Sequence, residues 1–169
     1  MTVSVFTPAS AAELDRVRDL MRGFVAWHRA RHSQDRHLID EYFDEDEWET
    51  ELASLPGQYA PPGGALLLAT VEGAPAGCVA LRDLGGGVCE MKRMFVYPDR
   101  HGQGVGRALG EAVLNEARAL GHHTMRLDTS IRQAEAIGLY RRLGFHDIEP
   151  YYELPEPLRN WLVFMERPL

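Results

Sequence analysis

Between Val88 and Leu109 the chain reads VCEMKRMFVYPDRHGQGVGRAL, and this segment constrains the fold more than any other. An apolar run ends at Pro98, glycines stand at alternate positions 102, 104 and 106, and a helical pattern begins at once. Val105, Leu109, Ala112, Val113, Ala117 and Leu120 continue that pattern until Gly121 stops it. A strand must therefore run into a glycine turn that opens directly into a helix. Glycine lets backbone N–H groups turn inward and admits a ligand without a Cβ in the way. The first N–H groups of a helix lack internal partners, and the helix dipole adds positive potential there, so the turn suits a phosphate. Two common nucleotide loops do not fit. A Walker loop needs Lys and Ser/Thr where Arg107 and Ala108 stand. A dinucleotide loop needs a small third residue where Leu109, or Arg107 in the other frame, stands. Taken alone, the glycines leave an ordinary flexible turn open.

The rest of the chain supplies an α+β frame. Thr2 to Thr7 reads as a strand, and Ser10 with Glu13 forms a capping box before a helix whose inner face carries Leu14, Val17, Met21, Phe24 and His28. Asp44 and Glu47 cap a second helix running to Leu55, where Pro56-Gly57 ends it. Ala65 to Val71 and Ala76 to Leu81 form a hairpin, and Val88 to Tyr97 a third strand in sequence. After the glycine turn and its helix come a strand at Thr124 to Thr129, a helix at Gln133 to Leu143 with Gly144 as its stop, and strands at Phe145 to Ile148 and Leu162 to Glu166. The proline-rich stretch Pro150 to Pro157 reads as a connection. The expected order is β-α-α-β-β-β-α-β-α-β-β, a mixed, mostly antiparallel sheet flanked by helices in three layers.

Length and charge bound the function. A chain of 169 residues fits one domain, and no apolar run approaches the roughly 20 residues that span a bilayer. The formal net charge of −7 argues against nucleic acid and anionic membranes as partners. The N-terminal residues lack the pattern of a secretory signal, and Cys78 and Cys89 lie in strand-like runs as buried hydrophobes, so a cytoplasmic setting is expected. The acidic excess is local: nine carboxylates and one arginine lie between Asp35 and Glu51. His28 and His32 have the i, i+4 spacing of a metal pair, but no third ligand is evident, and no metal is expected.

Two motifs carry a resemblance. His101-x-x-Gly104-x-Gly106 follows the strand ending Phe95-Val96, and Ala136-Ile137-Gly138-Leu139-Tyr140-Arg141-Arg142-Leu143-Gly144-Phe145 follows some thirty residues later. Together they resemble the GCN5-related N-acetyltransferase (GNAT) superfamily, with its Gln/Arg-x-x-Gly-x-Gly/Ala loop and later Ala-x-x-Leu-Tyr-x-x-x-Gly-Phe helix. The match covers about Val88 to Tyr152. His101 departs from the usual Gln or Arg, at a place where backbone N–H groups do most of the binding.

The resemblance implies an acetyl-CoA-dependent N-acetyltransferase that works by direct attack in a ternary complex. The pantetheine arm would pair with backbone groups of Met94, Phe95 and Val96, and the pyrophosphate would lie on His101, Gly102, Gln103, Gly104, Val105, Gly106 and Arg107. Tyr140 stands at the family's proton donor to the leaving thiolate. Glu90 stands where some relatives carry a general base, which would need a raised pKa; pairing with Lys92, Arg93 or another strand's arginine is the competing reading. His28, Tyr151 and Tyr152, with Trp161 beyond, fall in segments that border the acceptor in this fold. A small-molecule amine is the expected acceptor, and the acidic segment suggests a cationic one drawn in by Asp46, Glu47 and Glu51. A protein or peptide amine, a noncatalytic acyl-CoA sensor, and a homodimer through an edge strand stay open.

Overall fold

The computed structural model describes all residues, 1–169. In chain order the elements are β1 (Val3–Phe6), α1 (Ala11–Arg31), α2 (Arg36–Tyr42), α3 (Glu45–Ser54), β2 (Ala65–Val71), β3 (Ala74–Gly85), β4 (Val88–Val96), α4 (Val105–Ala119), β5 (Thr124–Ser130), α5 (Ala134–Arg142), β6 (His146–Ile148), α6 (Glu156–Trp161) and β7 (Leu162–Pro168). The strands form one sheet in the order β1-β2-β3-β4-β5-β7-β6. Every neighbouring pair is antiparallel except β4 and β5.

Alternation along the strands builds two cores, one per face. Leu66, Leu68, Cys78, Ala80 and Phe95 pack under α1, α2, α3 and α6. Leu67, Val79, Leu81, Met91, Met125, Leu127 and Met165 pack under α4 and α5. The three-layer α/β/α arrangement expected from the sequence is therefore present. The Ser10–Glu13 capping box closes on both sides at the start of α1, and the Asp44 side chain accepts from the Glu47 N–H at the start of α3. No helix is long and apolar enough to cross a membrane.

Two helices were not expected. Helix α2 is seven residues long and buries only Leu38 and Ile39, too short a stripe to set a period. Helix α6 lies in the proline-rich stretch. Its proline falls in the first turn, where no N–H is required and the fixed φ suits a helix, so proline here starts an element rather than breaking one.

The feature that positions the site is where β4 leaves its neighbours. Against β5 it pairs only from Val88 to Glu90, opposite Thr124 to Arg126, and the two parallel strands then diverge. Against β3, Lys92 pairs with Ala80 and Phe95 with Cys78, so Arg93 and Met94 stand opposite Val79 alone. This is a β-bulge, which bends the strand and increases its twist. Arg93 adopts φ +59, a backbone state unfavourable for a residue with a side chain. It is held there from three sides. The Glu51 carboxylate takes two hydrogen bonds from the guanidinium, both 2.8 Å, Phe43 and Trp48 stack on it, and the Cys78 thiol donates to the Arg93 carbonyl at 3.4 Å.

Glu51→Gln removes one partner of this nearly buried pair and leaves the guanidinium uncompensated, and such losses cost about 3 kcal/mol or more. The variant should melt well below the wild type, and a melting temperature within a degree of it would show that the bulge holds without the pair. His28, 2% exposed, supplies a second prediction. Burial first, then the neighbouring His32, lowers its pKa from 6.5 to about 4. Above pH 6.5 the ring is neutral in both states. Below it the unfolded chain takes a proton that the folded chain refuses until about pH 4, so stability falls across that window. His28→Phe, which keeps a ring between Phe24 and Trp161, should shrink the loss of melting temperature between neutral pH and pH 4.5; an unchanged loss would contradict a buried neutral His28.

Candidate active site

The divergence of β4 from β5 opens a cleft of about 410 Å³ that passes between the two core layers. Along one wall run Met91 to Val96, whose backbone has no strand partner on the β5 side. At one end the turn after β4 contributes Arg100, His101, Gly102, Gly104, Val105, Gly106 and Arg107. Gly102 and Gly104 have φ +78 and +81, and a Cβ on either would meet no protein atom within 4 Å. Backbone conformation, rather than crowding by the protein, calls for glycine here, and the same turn presents the N–H groups at the start of α4 to the cleft. Gly106 differs: a Cβ there would press on Leu139 of α5 at 3.3 Å. The cradle thus fits a pyrophosphate, and the unpaired β4 edge fits an extended chain bearing amides.

Of the ten residues assigned to the cofactor from sequence, nine line the cleft. Gln103 does not. Its amide donates to the Asp99 carbonyl at 3.4 Å, so it braces the turn from behind. His101 Nε2 lies 3.0 Å from the Val96 carbonyl oxygen, tying the turn to the end of β4. Arg107 is exposed and paired with Glu111 one turn along α4 at 2.8 Å.

At the middle of the cleft lies Tyr140, carried by α5 and only 5% exposed. Burial raises its pKa above the ordinary phenol value, and the Asp128 charge adds to this, so it stays protonated at neutral pH. Residues of α1 and α2 also line the cleft. His28 is one of them, its ring stacked between Phe24 and Trp161 at 5.9 and 5.6 Å, with Nδ1 buried and unpartnered. Asp128 on β5 lines the cleft too and accepts hydrogen bonds from Tyr42, at 2.5 Å, and from Tyr152.

Glu90 departs from its expectation. It is 1% exposed and is not a cleft residue. Its carboxylate accepts from Arg82 Nε at 2.6 Å and Tyr151 at 2.5 Å, with the Lys92 ammonium at 3.6 Å. Burial pulls its pKa upward, but Lys92, Tyr151 and Arg82 together outweigh burial and leave it below the usual value. That direction is the reverse of the one a general base requires. Tyr151 and Tyr152 also stand outside the lining: they lie behind it and hold Glu90 and Asp128.

The acidic segment does not face the cleft either. Asp46, Glu47 and Glu51 border a separate shallow depression on the far side of α3. Asp35 pairs with Arg132, Asp40 with Arg29 and Arg36, Glu49 with Arg22 and Glu51 with Arg93. These four carboxylates hold helices to the sheet and to one another, and no carboxylate of the segment lines the cleft. Asp128 and Tyr42 were missed in the sequence. Asp128 sits in a strand with no motif of its own, and only the divergence of β4 and β5 exposes it. No group of three or more His, Cys, Asp or Glu side chains gathers around His28 and His32.

Comparison with known proteins agrees with this geometry. The model of the acetyltransferase (GNAT) family matches residues 23–145. An IAA acetyltransferase of Azospirillum brasilense is 41% identical over 137 residues, covering 80% of this chain and 85% of that protein. An uncharacterized N-acetyltransferase of Schizosaccharomyces pombe is 38% identical over 129 residues, covering 71% and 79%. Among solved structures, the PaiA N-acetyltransferase of Thermoplasma acidophilum in complex with coenzyme A superposes with a TM-score of 0.74 over the whole of both chains at 15% identity, which shows the shared fold. The cleft between diverging parallel strands, the glycine turn at its end and these matches lead to one conclusion: the chain belongs to the acetyltransferase (GNAT) family and is an N-acetyltransferase.

Proposed function

We propose that the protein transfers the acetyl group of acetyl-CoA to the primary amine of a small molecule, by direct attack within a ternary complex. The observation that carries this reading is the cleft itself. It combines a backbone anion cradle, an unpaired strand edge beside a protonated phenol, and aromatic side chains of α1, α2 and α6. A concave cleft with aromatic walls suits a small acceptor better than a peptide lying across a surface.

Acetyl-CoA supplies an activated thioester. The chain's part is to hold and to move protons. The Gly102 to Gly106 turn and the N-terminus of α4 hold the pyrophosphate, and the β4 edge at Met94 to Val96 aligns the arm and polarises the acetyl carbonyl through backbone N–H groups. The acceptor releases one proton to water and attacks as the free amine, so that an N–C bond forms as the C–S bond breaks. Tyr140 gives its proton to the departing sulfur, and the proton shed by the new amide nitrogen restores the phenol. Glu90, ion-paired and outside the lining, serves as a strut for Tyr151, Arg82 and Lys92 rather than as the base.

Acetyl-CoA at a hundredfold excess over its dissociation constant should stabilise the protein by about 2.7 kcal/mol, visible as a melting shift. Gly104→Val should abolish most of that shift, since its side chain would project where no protein atom stands; an undiminished shift would place the coenzyme elsewhere. Tyr140→Phe should lower turnover by about 10²-fold with coenzyme affinity nearly unchanged. Turnover at the wild-type level would reduce Tyr140 to a packing residue.

A further inference from the structure

The ionised groups around the acceptor end of the cleft are mostly matched in contact pairs. Arg93 is matched by Glu51 through two hydrogen bonds, and Glu90 by Arg82. On the facing strands, Lys92 of β4 and Asp128 of β5 lack a strong ionic partner; Arg100 of the turn and Arg142 of α5 also line the cleft without an ion pair. The Lys92 side chain is 12% exposed, and its ammonium has one carboxylate oxygen within 4 Å, that of Glu90 at 3.6 Å, which Arg82 already engages. Its other neighbour is the Tyr42 ring, 5.9 Å away. An ammonium carries three donors, so Lys92 keeps donors for a ligand.

Asp128 is held by two phenols, Tyr42 and Tyr152. These are neutral donors, so they fix the carboxylate without cancelling its charge, and a carboxylate has about four acceptor positions, of which two are used. No hydrogen bond or ion pair joins Asp128 to Lys92. A cation and an anion therefore line one cleft from the two diverging strands with no ion pair between them. The rings of Phe24 on α1, Tyr42 on α2 and Trp161 on α6 line the same cleft.

We infer that the acceptor is a zwitterion, an α-amino acid with an apolar or aromatic side chain, whose carboxylate meets Lys92 and whose amino group meets Asp128. This rests on the small-molecule acetylation proposed above and names its substrate class. The amino group then lies beside Asp128, which lines the same cleft as Tyr140. A simple amine would leave the Lys92 ammonium with only its 3.6 Å contact to Glu90, and a simple acid would leave Asp128 with only its two phenols; each mismatch costs binding.

The test compares apolar and aromatic L-amino acids, each against the amine that lacks only its carboxylate, such as phenylalanine against phenethylamine. Acetylation is followed by thiol release at saturating acetyl-CoA. At least one amino acid should exceed its matched amine in kcat/KM by about tenfold or more, the worth of a charged hydrogen bond. Lys92→Met should bring that ratio toward one, and Lys92→Arg, which keeps the charge, should preserve part of it. Melting shifts with acetyl-CoA check that the variants are folded. Matched amines turned over as well as the amino acids, or a ratio that survives in folded Lys92→Met, would overturn the inference while leaving small-molecule acetylation intact. Coenzyme binding with no turnover of any compound in either series would overturn both. If Lys92→Met does not fold, the wild-type ratio decides.

Discussion

The Arg93–Glu51 pair holds the rest of the site in place. A strand that follows its neighbours without interruption would leave no cleft, because β4 and β5 would close on each other by backbone hydrogen bonding along their whole length. The bulge at Arg93 turns β4 away just beyond the three residues it shares with β5. A positive φ at an arginine persists only where surroundings over-determine it. Here a bidentate carboxylate, two aromatic faces and a thiol do so. Helix α3, which carries Glu51 and Trp48, is thus part of the active-site architecture although Glu51 and Trp48 do not line the cleft. Folding energy invested on the α3 side is what keeps the β4 edge available for a ligand.

The same logic of pairing organises the charge. Carboxylates crowd the region from Asp35 to Glu51, yet four of them are taken by arginines of α1, β4 or the segment after β5, and they act as ties between elements. Glu90 is the buried counterpart. It has three cationic or phenolic neighbours, and they outweigh the burial that would raise its pKa. At the acceptor end, Lys92, whose nearest carboxylate oxygen is that of Glu90 at 3.6 Å, and Asp128, held by two phenols, contribute to the electrostatic character of the cleft. In a partly dry cleft a few such groups matter more than a large excess of charge on the surface.

Much of the frame was legible in the sequence, because its signals are local. The glycine turn is fixed by φ values that only glycine adopts readily, the Ser10–Glu13 capping box by side-chain chemistry within one turn, and Ala65–Val71 by a nearly continuous apolar run that the structure reproduces residue for residue. What stayed hidden depends on contacts distant along the chain. Glu90 is paired through Arg82 and Tyr151, the second 61 residues away, and Asp128 is held by Tyr42, 86 residues away. Strand alternation did put Lys92 on the face of Glu90, but nothing local shows that Arg82 would satisfy the carboxylate and leave the ammonium with donors to spare. Helix α6 was hidden for another reason, since proline reads as a break unless its place in the first turn is known.

The central claim is that β4 beyond Glu90 and the turn after it form the coenzyme site because the bulge leaves that edge unpaired. Residue-resolved amide hydrogen exchange, with and without acetyl-CoA, tests it most directly. Slowed exchange should concentrate in the amides of Met91 to Val96 and of Gly102 to Gly106, with little change in β1, β2 or β6. Protection spread evenly over the sheet, or confined to segments outside β4 and its turn, would contradict it.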